Sequence, residues 1–207
     1  MRPTPNIHIE NREVEGERLE LTNREAIYWL GPNITLRRCT VVLGVGGRQL
    51  VPMWGRLIDC TITAKREIVN EWFTSMRFEG CRFTGRFSGV GFGQRVGVDM
   101  WWEHGGIENC DFSEARLDEC SFHGCDMRTI QLPKWPCFTI VDPIRHGREL
   151  LSVPWPGDFT PVFLEGEHRD REDTAAVTIY APAEAKRSGA TLEEFKAAVE
   201  RFDFIVR

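Results

Sequence analysis

From Cys110 to Leu132 two apolar columns run along the chain with a period of five. Cys110, Ala115, Cys120, Cys125 and Ile130 form one; Phe112, Leu117, Phe122, Met127 and Leu132 form the other. Polar residues fill most of the gaps: Asp111, Ser113, Glu114, Arg116, Asp118, Glu119, Ser121, Asp126 and Arg128. A helix repeats near 3.6 residues and a half-buried strand near 2, so neither produces this pattern. A chain that turns a corner every five residues does. Each side then points one small and one large residue inward. One such coil cannot bury its own columns, so coils must stack into a solenoid.

The cysteines carry a looser form of the pattern upstream. Cys39, Cys60 and Cys81 are spaced 21 residues apart, each with an apolar residue three before and two after it. The frames are Leu36–Cys39–Val41, Leu57–Cys60–Ile62, Phe78–Cys81–Phe83 and, later, Ile107–Cys110–Phe112. Together these residues resemble the pentapeptide-repeat family. Its central Leu or Phe matches Phe112, Leu117 and Phe122, and its small residue two earlier matches Cys110, Ala115 and Cys120. The resemblance implies a right-handed, four-sided β-helix with four pentapeptides to a coil. On that geometry the cysteine spacing is one coil plus a one-residue bulge. Between Cys39 and Cys60 the segment Gly44–Pro52 loses the phase, which suits a larger, irregular coil there.

The expected organisation is a cap over residues 1–30, the β-helix over 31–132 and an α/β appendage over 133–207. The Cys81–Cys110 interval exceeds the earlier step by eight residues, and seven glycines lie between Gly85 and Gly106. Segment 85–106 therefore reads as an inserted loop. After Leu132 a run of prolines predicts an extended strap anchored by Trp135, Phe138, Ile140 and Trp155. Val177–Tyr180 reads as a strand. Thr191 and Glu194 form a capping box for a helix with Leu192, Phe195, Val199 and Phe202 on one face. Phe204–Val206 closes as a short strand.

Composition narrows the function classes. The net charge of −5 argues against a general nucleic-acid binder. Residues 31–105 hold ten bases against six acids and 106–132 two against six, so the β-helix is near neutral. A topoisomerase-binding DNA mimic, known in the resembled family, needs strong negative charge. The polar start, Met1–Glu20, lacks the apolar core of a signal peptide. No apolar run approaches the ~20 residues of a membrane helix. Seven cysteines without an export signal predict free thiols in a reducing cytoplasm. No short Cys-x2–4-Cys pair is present, so the thiols read as buried small residues rather than metal ligands, and no cofactor is expected.

A carbohydrate-active β-helix enzyme would use paired carboxylates on a coil face, but acids at outward positions are what any solenoid shows. No nucleophile, metal or phosphate motif is present. The favoured reading is a non-enzymatic module that binds a protein. A bacterial immunity or antitoxin protein occluding a toxin is its concrete form. The acidic half, nineteen acids against twelve bases over 106–207, suits a basic partner. The expected contact residues are Phe92, Arg95, Trp101, Trp102, Glu103 and His104 of the loop. Aromatic residues and Arg dominate interface hot spots.

Overall fold

The computed structural model describes residues 4–95, 104–161 and 173–207. Trp101, Trp102 and Glu103 lie outside them. The chain is a parallel β-solenoid with a small α/β unit closing its C-terminal end.

The first coil is β1 (Asn6–Ile9), β2 (Arg12–Glu15) and β3 (Arg18–Leu21), and the second is β4 (Ile27–Leu30), β5 (Ile34–Arg37) and β6 (Thr40–Leu43). The third is β7 (Leu50–Pro52), β8 (Arg56–Ile58) and the longer β9 (Thr61–Val69). Next come β10 (Arg77–Glu79) and β11 (Arg82–Ser88), then β12 (Gly91–Gly93), β13 (Gly106–Glu108) and β14 (Asp111–Asp118), and finally β15 (Cys120–His123). Three walls result. The first is β1-β4-β7, the second β2-β5-β8-β10-β13 and the third β3-β6-β9-β11-β14. From β9 onward the third-wall strands run past a bulge into a fourth side, where Ile68, Phe87 and Leu117 stack. The solenoid thus starts three-sided and widens.

The cysteine frame is a corner. The residue before each inward cysteine has positive φ: Arg38 at 50°, Asp59 at 53°, Gly80 at 63°, Asn109 at 53° and Glu119 at 51°. This left-handed turn swings the chain from one wall to the next. Each cysteine then points inward, and its thiol donates to a carbonyl of the coil before. Cys39 reaches Val14 O at 3.4 Å, Cys60 Leu36 O at 3.4 Å and Cys81 Leu57 O at 3.2 Å. A small polarisable side chain with one weak donor fits this corner. Cys39, Cys60, Cys81, Cys110, Cys120 and Cys137 are buried and all seven cysteines are free thiols. Cys125, expected inside, is only half-buried because the repeat ends there. The chain leaves its corner in a 3-10 turn at Met127–Thr129, capped by Asp126.

The expected loop over 85–106 is narrower than its glycines suggest. Its first residues continue β11 and form β12, which pairs with β15, and its end enters β13. Phe92 is therefore a core residue with no exposure, stacked between Phe73 and Phe122 at 5.9 and 5.5 Å. Phe92 is thus not a contact residue, because its ring is shut inside the coil. Gly91 permits a close approach: a Cβ there would lie 2.3 Å from the Trp72 ring.

The appendage holds β16 (Cys137–Val141), α1 (Gly147–Ser152), β17 (Thr174–Tyr180), α2 (Ala181–Ser188), α3 (Leu192–Val199) and β18 (Ile205–Val206). The strap is thus a strand and a helix as well as an extended segment. β17 pairs antiparallel with β15, so the order β12-β15-β17-β16-β18 covers the solenoid's open edge. An uncovered edge would template association. Thr191 caps α3 with the expected Glu194 box, and Phe195 and Val199 pack against Phe138 and Ile179 in a second core.

Candidate functional site

The first wall is interrupted, and the interruption makes the site. β6 leads back to the first wall at β7 through a 3-10 turn at Gly47–Gln49, whereas β9 runs along the fourth side before the chain comes back at Glu71. The longer circuit displaces residues 71–73 from β7. Among the described residues β7 pairs with β4 alone, and Trp72 bridges forward to Gly91. An open groove of about 440 Å3 lies between, lined chiefly by Trp29, Val51, Met53, Trp54, Glu71 and Trp72. Across Trp54 a second, more polar recess of about 430 Å3 is lined by Asn33, Gly55, Arg56, Arg77 and His104.

Each tryptophan has a structural reason to face out. In β4 Tyr28 and Leu30 point inward, so Trp29 points outward. There it stacks on His8 at 5.6 Å and donates Nε1–H to Asn6 Oδ1 at 3.1 Å. Trp72 lies over Gly91 and under the Arg95 guanidinium, whose Cζ is 5.0 Å from the ring centroid. Trp54 stands at the corner entering the second wall with φ of 40°. A bulky residue with positive φ is a strained choice. Its ring meets His104 edge-on at 6.0 Å.

Glu71 occupies an inward corner position. The residues at equivalent corners in the following coils are Val90 and Cys120, as the bonds Gly91 N–H to Glu71 O and Ser121 N–H to Val90 O show. A carboxylate in such a place is desolvated, and burial pushes Glu71 up to about 7, while the Trp72 N–H donated to its Oε1 at 3.0 Å works the other way. In the second recess Arg56 Nη2 and Arg77 Nε both donate to Glu79 Oε1, at 3.2 and 2.7 Å. These bonds hold Glu79 below the usual carboxylate range. Among the described residues two guanidiniums face one carboxylate there, which leaves their balance basic.

Further along this face Ser121, His123 and Asp173 come together. His123 Nε2 lies 2.8 Å from Ser121 Oγ, and Nδ1 lies 3.4 Å from Thr174 Oγ1 and 3.8 Å from Asp173 Oδ1. The order resembles a nucleophile, base and orienting acid. Its setting is that of a tie, since His123 is 1% exposed and joins β15 to the strand β17 packed on it. The Ser121 N–H is committed to Val90 O, which removes it as a donor to a developing oxyanion.

Of the residues expected from sequence, Arg95 and His104 stand at this face, one over Trp72 and one beside Trp54. Sequence reasoning missed Trp29, Trp72 and Glu71. The outward parity of Trp29 in Ile27–Leu30 was a usable signal; the displacement of residues 71–73 left none. The acids Asp118 and Glu119, expected as solvated wall residues, divide. Asp118 is buried beneath the appendage and Glu119 is exposed.

The family model for pentapeptide repeats matches residues 107–130, the stretch of β13, β14 and β15. That stretch is a run of pentapeptide repeats. The cysteine corners extend the geometry of the matched stretch back to Cys39. No curated protein matches the chain. Pentapeptide-repeat solenoids are consistent with protein interaction and typically non-enzymatic. No helix among the described residues is long and apolar enough to cross a membrane.

Proposed function

We propose that this protein is a protein-interaction module whose contact face is the tryptophan groove of its interrupted first wall. The observation that carries the reading is the strained, outward Trp54 between two recesses. Positive φ is a costly place for an indole at a solenoid corner, and a binding surface gains a rigid aromatic anchor from it. Trp29 and Trp72 widen the anchor, and Arg95 and His104 flank it. An immunity or antitoxin role is the case in which the captured protein is a toxin encoded beside this chain.

The test is capture by the tagged full chain from its native lysate, with neighbouring reading frames also expressed and offered. A stoichiometric, identified partner that binds wild type and is lost to Trp29→Ala/Trp54→Asn supports the reading, provided the variant melts as wild type does. A partner that binds both chains equally removes the groove from the interface.

A further inference from the structure

We propose that the groove takes an acidic, proline-containing segment of the partner in polyproline II conformation, with a proline ring among the indoles and a carboxylate against Arg56 and Arg77. The inference rests on the protein-interaction reading and adds the chemistry of what is bound. It comes from elimination at the strand edge.

An edge strand beside an open groove would ordinarily recruit a β-strand through its backbone. The edge of β7 is closed to that. Pro52 has no N–H, and its carbonyl already accepts the Ser75 hydroxyl at 2.9 Å. The Leu50 N–H donates back to Gly47 O in the preceding turn. An extended peptide would therefore lack the ladder partners that give β-addition its affinity. Recognition must come from side chains.

The groove supplies flat aromatic faces and aliphatic edges: Trp29, Trp54 and Trp72 with Val51 and Met53. Aromatic-lined grooves accept polyproline II segments because the ligand's backbone needs no ladder and loses little entropy on binding. The adjoining recess fixes the sign of the neighbouring ligand residue. Arg56 and Arg77 are register partners on β8 and β10 and, among the described residues, share Glu79 between them. Guanidinium pairs suit a carboxylate in bidentate geometry. Trp54 lines both recesses, so one short segment can occupy the two at once. Polyproline II repeats every three residues at about 3.1 Å each, so a proline and an acid three positions apart share a face about 9 Å long.

The experiment is selection of a random dodecapeptide phage library on the immobilised full chain. Enriched peptides are expected to combine proline with Asp or Glu. As free labelled peptides they should bind more than tenfold more weakly to Trp54→Asn and to Arg56→Ala/Arg77→Ala, and unchanged to the remote Arg128→Ala. Enrichment of neutral or basic peptides that remain sensitive to Trp54→Asn overturns the acidic-proline chemistry and leaves the groove as a protein site. Enrichment of β-branched, proline-free peptides overturns the conformation. No enrichment, or binding indifferent to both groove variants, overturns the proposal outright. The protein-interaction reading itself is decided separately by the native partner and the tryptophan variants.

Discussion

Arg187 on α2 meets the carboxylate of Asp118, the last residue of β14, with Nη1 3.1 Å from Oδ2 and Nη2 3.2 Å from Oδ1. The same guanidinium binds Glu184 Oε2 at 2.6 Å, and the Tyr180 N–H also donates to Asp118. One surface-reaching cation thus pins the appendage to the solenoid through a nearly buried acid. Replacing Arg187 with Ala leaves Asp118 buried without its charge partner and should lower stability by about 1–3 kcal/mol. Adding Asp118→Asn should return part of that loss. Urea unfolding of the double-mutant cycle measures it, and strict additivity of the two changes would mean the pair is not coupled.

Phe122 has no exposure, stacks on Phe92 and meets Phe112 edge-on at 5.4 Å. Phe122→Ala should cost about 3–5 kcal/mol, the range for a buried aromatic in a tight core. A melting temperature equal to wild type would refute the inward register of the five-residue columns.

Glu71 gives the fold a pH dependence. Its carboxyl ionises near its ordinary value of 4.5 when unfolded but is pushed up to about 7 by burial when folded. Between those values the folded chain holds a proton that the unfolded chain has lost, so stability falls as pH rises through this window. Below it both states are protonated and above it both are ionised, so the contribution is flat on either side. Glu71→Gln should therefore gain on wild type steadily from pH 4.5 to 7 and keep the gain beyond. Parallel stability curves for the two chains across that range would show that the carboxyl is solvated.

The thiols should differ in access. Cys125 alone among the seven is half-buried, although burial pushes its thiol up to about 12 and slows its reaction. A native-state alkylation series should label Cys125 first, and slowly, with the other six following only on unfolding. Labelling of Cys39, Cys60 or Cys81 ahead of Cys125 would contradict the stacked corners.

The legible parts of the fold are those set by local chemistry. Cysteine corners repeat because a left-handed residue followed by a small inward one is a local requirement, and Thr191 with Glu194 is a local cap. Phe92 was misplaced because its flanking glycines look like loop residues. In the structure Gly91 is there to let Trp72 pass over the strand. Asp118 looked like any outward acid until Arg187, far along the chain, covered it. The groove was the least legible feature. It arises from a difference in circumference between successive coils, and circumference depends on where the fourth side begins rather than on any single residue.

Trp54 joins that geometry to the function. Its φ of 40° suits Asn or Gly and strains an indole. Asn tolerates the left-handed region without the unfolded-state entropy of glycine. Trp54→Asn should thus leave the melting temperature unchanged or raise it, with relief of backbone strain on the order of 1 kcal/mol set against the lost edge contact with His104. The same change should abolish capture of groove ligands. Trp72→Ala should behave differently, because that ring packs over Gly91 and its loss opens the wall. It should lower stability and binding together. Differential scanning calorimetry of both variants beside their binding curves separates the two roles. A large destabilisation by Trp54→Asn would make the indole a structural corner residue and take away the observation on which the interaction face is built.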